Sequence, residues 1–127
     1  MRIAHTALWT RDLEAASKFW QDYFGAEIGE AYHSKNRPGF ISRFVTLPES
    51  GGQIELMTGP WLVADAPAER VGWDHIAISL AHGETVDKLA EQCRRDGCLK
   101  SGPRWTGDGF YEAVILMPDG TPVEITA

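Results

Sequence analysis

The chain has 127 residues, the usual size of one domain; 43% are hydrophobic and 24% charged, which is enough apolar material for a core. Its formal net charge of -6 argues against nucleic acid or an anionic membrane as partner, since both require a basic surface. No run approaches the ~20 apolar residues that span a bilayer, and MRIAHTALWTRD meets charge too early for a secretion signal, so a cytoplasmic protein is expected.

The opening IAHTALW has the composition of a strand. Asp12 is placed to N-cap a helix, because its carboxylate can accept from the free amides of the first turn. LEAASKFWQDYF then sets Leu13, Ala16, Phe19, Trp20, Tyr23 and Phe24 on one face, and Gly25 ends it. AEIGEAYH is predicted as one strand, SKNRPG as a loop, FISRFVTL as a strand, PESGG as a hairpin turn and QIELMT as a strand. GPWLVADAPAERVG lacks a period and reads as a linker.

The plan then repeats. WDHIAISL is a predicted strand, and GETVDKLAEQCRRDG a helix with Val86, Leu89, Ala90 and Cys93 on one face, ended by Gly97. CLKSGPRW is a weak strand, TGDG a turn, FYEAVILM a strand, PDG a tight turn and TPVEIT the last strand. Cys93 is expected in the helix core and Cys98 at a strand start, both as reduced thiols of a cytosolic protein. The expected organisation is one domain over 1–127, with a first βαβββ module over about 1–59, a linker over about 60–71 and a second module over about 72–127.

The repeat carries polar residues with it. His5 and His75 lie in the opening strands of the two halves, 70 residues apart; Glu55 and Glu124 lie in the closing strands, 69 apart. A lone strand Glu usually faces water, and a lone His is usually a partly buried residue with one hydrogen bond. Neither reading explains why both recur in register. Two imidazoles and two carboxylates suit one divalent first-row ion or zinc, with positions left for water or substrate.

These residues carry a resemblance. MRIAHT, QIEL, DHIAIS and PDGTPVEI, with the aromatic helix end FWQDYFG, resemble the vicinal oxygen chelate superfamily and, within it, bacterial glyoxalase I (lactoylglutathione lyase). The resemblance implies an α+β fold in which paired βαβββ modules form an open mixed β-barrel around a metal. It implies His5, Glu55, His75 and Glu124 as ligands of one divalent ion (nickel, zinc, cobalt or manganese). It also implies a homodimer with His5 and Glu55 of one chain facing His75 and Glu124 of the other. The implied activity is that of a lyase or isomerase acting on a small oxygenated substrate, such as an α-ketoaldehyde–thiol adduct, through an enediolate. Glu124 is then the expected base, with Glu55 as its possible partner.

The glutathione-gripping positions depart from that pattern. Trp9 stands where glyoxalase I has a basic residue, Met57–Pro60 contains no Asn, and the stretch 106–110 is acidic. A thiol other than glutathione is therefore expected. Trp9, Arg43, Trp105 and Tyr111 are candidate substrate contacts; Arg37 and Arg104 are further cations that could meet an anion; His33 and His82 have no assigned role. Two competing readings remain: another enzyme of the superfamily, a transferase or dioxygenase with a His-His-Glu set, and a metal-free small-molecule binding or resistance protein.

Overall fold

A computed structural model describes residues 3–63, 72–107 and 109–127. It contains two compact units, 1–66 and 67–127. The expected linker falls mostly on 64–71, outside the described residues, as does Asp108 of the expected TGDG turn.

In the first unit the order is β1 (Thr6–Trp9), α1 (Leu13–Phe24), β2 (Glu27–Ile28), β3 (Tyr32–His33), β4 (Ile41–Thr46) and β5 (Gln53–Thr58). β1 runs parallel to β5, β5 antiparallel to β4, and β2 and β3 both pair antiparallel with β4. Asp12 caps α1 by accepting from the Ala15 amide at 2.9 Å, and Gly25 closes it in the left-handed conformation. Leu13, Ala16, Phe19 and Trp20 of α1 are buried, as are Val45, Ile54 and Leu56 on one face of the sheet. This apolar burial is the main source of the unit's stability.

The second unit repeats the plan: β6 (Ile76–Ser79), α2 (Gly83–Asp96), β7 (Leu99–Trp105), β8 (Tyr111–Leu116) and β9 (Pro122–Thr126). β6 runs parallel to β9, and β9, β8 and β7 follow antiparallel. Val86, Leu89, Ala90 and Cys93 are the buried residues of α2, as the sequence spacing predicts, and Gly97 ends it in the left-handed region. Ala113, Ile115, Val123 and Ile125 form the buried face of this sheet. Both cysteines are free: Cys93 is buried and Cys98 half-buried, just ahead of β7.

The structure corrects two expectations. The predicted strand over AEIGEAYH is two short strands. Ile28 pairs with Val45 and Tyr32 with Ser42, so the outer segment carries one residue more than β4 across that interval. An extra residue of this kind breaks a ladder as a bulge does. His33 thus lies in β3 and not in a loop, while His82 is the N-cap residue of α2. The first strands also start later than expected: β1 at Thr6 and β6 at Ile76, so that His5 and His75 each sit one residue ahead of a ladder.

β7 is the least regular strand, with register shifts between Leu99 and Ser101 and between Ser101 and Arg104. Gly102, at φ +86, lies in this stretch. A Cβ there would stand 2.7 Å from the Glu112 carbonyl oxygen and 2.9 Å from Ala113 Cα, so only glycine lets β7 approach β8 this closely.

Candidate metal-binding pairs

Residues directly opposite one another in neighbouring strands share a face of the sheet. Glu55 stands opposite Ala7 on β1 and Phe44 on β4; Glu124 stands opposite Ala77 on β6 and Val114 on β8. The two glutamates thus occupy the same register position in their two sheets, each on the face away from the helix. The β4–β5 hairpin runs from Thr46 to Gln53, whereas β8–β9 runs from Leu116 to Pro122, one residue shorter. That single residue accounts for the change in spacing from 70 to 69.

Each glutamate meets the histidine of its own unit. His5 Nε2 is 3.7 Å from Glu55 Oε2, and His75 Nε2 is 3.3 Å from Glu124 Oε2. The glutamate side chains are about one-fifth exposed and the imidazoles about two-fifths, so both pairs are open to solvent on one side. Glu55 therefore lies on the side away from the core, as simple alternation suggests, but it is turned to a histidine. Among the described residues no group of three or more His, Cys, Asp or Glu gathers as a metal site, so each pair is a two-donor set. The donors fit a cation: two ligands at right angles on one ion at ~2.1 Å are themselves about 3 Å apart, close to the separations found here.

The histidines are held differently. His75 Nδ1 lies 2.7 Å from Asp74 Oδ2, a contact that turns Nε2 toward Glu124. Ala4 occupies the matching place in the first unit. There the His5 ring meets the edge of Phe44, with centroids 5.3 Å apart.

Of the other expected contacts, Trp9 shares the Glu55 face, two residues beyond Ala7 on β1. The remaining three do not join a pair. Arg43 stands opposite Leu56 on the helix face, where it bonds Glu14 at 2.8 Å and donates to the Gly29 carbonyl at 3.1 Å. Tyr111 stands opposite Trp105, and its hydroxyl donates to Asp87 of α2 at 2.6 Å. The sheet therefore separates both aromatic residues from Glu124. The Asp87 carboxylate, by accepting that bond, raises the Tyr111 pKa.

Sequence reading missed Glu112. It is buried on the Glu124 face, opposite Thr126, and is bonded by Arg104 Nη2 at 3.1 Å. Its one sequence signal was alternation with Val114 along β8.

The chain matches the Glyoxalase/Bleomycin resistance protein/Dioxygenase superfamily over residues 2–125 and belongs to it. The uncharacterized protein YqjT of Bacillus subtilis (strain 168) is 28% identical over 130 residues, covering 97% of this chain and 96% of that one. Among solved structures, a glyoxylase/bleomycin resistance protein/dioxygenase domain from Frankia sp. EAN1pec superposes with a TM-score of 0.85 at 17% identity, covering 99% of this chain and 96% of that one. The fosfomycin resistance protein FosX from Listeria monocytogenes, in complex with Mn(II) and sulfate, gives 0.72 at 24% identity, with 99% and 91% covered. At these identities the two structures establish the fold.

Proposed function

We propose that the chain is a metal-dependent enzyme that holds one divalent ion with His5, Glu55, His75 and Glu124 and acts on a small substrate carrying oxygens on adjacent carbons. The observation that carries this reading is the matched register of the two His–Glu pairs. Each pair supplies half of a four-donor set, and the proposed sphere takes one half from each of two copies of the chain. The ion would draw negative charge onto the substrate oxygens as a Lewis acid.

The proposed reaction is of the glyoxalase I type. Glu124 removes the proton from one carbon and returns it to its neighbour, so that the substrate is isomerised with no net change in atoms. Asp74 fixes the His75 ring so that the imidazole does not swing away during the transfer. Glu55 occupies the equivalent position in the other half and is the second candidate for the proton. A thiol other than glutathione is proposed, because Trp9 occupies the place of the usual basic residue.

A second reading is supported by the likeness to FosX, which has been solved with Mn(II) and 1S,2S-dihydroxypropylphosphonic acid. In this reading a glutamate activates water to open an epoxide.

The test is metal content in protein purified without an affinity tag or added metal, followed by assays of α-ketoaldehyde adducts of several thiols and of fosfomycin. Bound divalent ion that is lost in Glu55→Gln and Glu124→Gln, with turnover of an adduct, supports the first reading. Turnover of fosfomycin alone supports the second. No metal uptake from nickel, zinc, cobalt or manganese overturns both.

A further inference from the structure

Beyond the His5–Glu55 pair, the same sheet face carries an aromatic cluster. Trp9 meets Phe40 edge-on at 6.0 Å and Trp61 edge-on at 6.4 Å. The Arg37 guanidinium lies over all three rings, with Cζ 4.0 Å from the Trp61 centroid, 5.6 Å from Trp9 and 5.9 Å from Phe40. Glycine permits this assembly: a Cβ on Gly59 would fall 2.4 Å from the Trp61 ring, and one on Gly39 would fall 2.8 Å from Pro60. Pro60 and Trp61, expected to begin the linker, are part of this built corner of the first unit.

The cation at its centre has no carboxylate. Among the described residues, the ion pairs of this unit are His5–Glu55, Lys18–Asp22 and Arg43–Glu14, and none engages Arg37. Stacking on rings restrains a guanidinium and leaves its N–H groups available to an anion in a forked geometry. Trp9 is two residues along β1 from the residue opposite Glu55, a rise of about 7 Å. A small molecule can bridge that distance.

We infer that Arg37, supported by Trp9, Phe40 and Trp61, is a specificity-determining residue that binds an anionic group, a carboxylate or phosphonate, on a flat or apolar substrate body. This rests on the proposed site at His5 and Glu55. It relocates the missing positive charge: Trp9 replaces a cation on the first strand, and Arg37 brings one to the same place from the β3–β4 loop.

The test uses the whole chain treated with a chelator, so that metal plays no part. Phenylphosphonate, benzoate and benzamide are titrated by calorimetry against wild type, Arg37→Gln, Arg37→Lys and Gly59→Ala. The anions should bind wild type more tightly than benzamide. Arg37→Gln should weaken the anions by roughly 10- to 100-fold and leave benzamide unchanged, the cost of one charge-assisted contact. Arg37→Lys should retain part of the anion binding. Gly59→Ala, which displaces Trp61, should weaken all three probes. Anion binding unchanged in Arg37→Gln, or benzamide lost to the same degree as the anions, overturns the inference. Metal uptake is measured separately, so failure here is distinguishable from failure of the metal reading.

Discussion

Asp74 holds the Nδ1 edge of His75 at 2.7 Å, and the opposite Nε2 faces Glu124. A histidine ligand fixed in this way by a carboxylate binds metal more tightly than one left to rotate. Asp74→Asn is expected to weaken metal affinity by roughly 10- to 100-fold, because the amide keeps the shape but loses the charge. Phe44→Leu beside His5 should have a smaller effect, since an aromatic edge orients the ring without polarising it. Competition against a metal-sensitive dye measures both.

The two glutamates should respond differently to the same substitution. Glu55→Gln and Glu124→Gln are each expected to weaken metal binding. With metal restored at high concentration, Glu124→Gln should remain slower by about 10²- to 10⁴-fold, the range for loss of a general base. Glu55→Gln should recover most of its rate. If Glu55→Gln is the variant that stays inactive, the base is Glu55. Rates at saturating metal, set beside metal content, separate binding from proton transfer.

Much of this arrangement is legible in the sequence because several local signals agree. Asp12 and Gly25 bound α1, the apolar face of α2 reads directly from Val86, Leu89, Ala90 and Cys93, and the His–Glu repeat marks the same place in both halves. The bulge between Ile28 and Tyr32 is not legible, because its cause is the register of a distant strand, β4. Glu112 stays hidden because β7 shifts register twice before Arg104 comes opposite it. The Arg37 cluster joins residues 9, 37, 40 and 61 from separate segments, so no periodicity announces it. Trp105 and Tyr111 suggest an aromatic wall in the sequence, but strand alternation sends them to the helix side.

The helix caps give a paired test of stability. Asp12 makes its cap bond, whereas His82, at the same place on α2, makes no side-chain cap bond. Asp12→Ala should cost about 1 kcal/mol. His82→Asp should gain about 0.5–1 kcal/mol, since the new carboxylate can accept from the first turn and faces the positive end of the helix dipole. Urea unfolding midpoints at neutral pH measure both changes, and their opposite signs guard against a general effect of surface charge.

Cys93 provides a pH-dependent probe of the second core. Burial first, and the neighbouring Cys98 second, push its thiol from 9.0 up to about 12. Between those values the folded chain keeps a proton that the unfolded chain has lost. The resulting stabilisation is whole below pH 9 and declines as the pH rises toward 12. Wild type should therefore lose stability to urea more steeply from pH 9 upward than Cys93→Ala, which lacks the group and begins from a lower value because of the small cavity it leaves. A thiol-reactive chromophore at pH 8 should modify Cys98 first in the native chain and both cysteines at similar rates once urea unfolds it. Equal native reactivity, or parallel alkaline profiles for the two proteins, would contradict the assignment of Cys93 to a core that excludes its charged form.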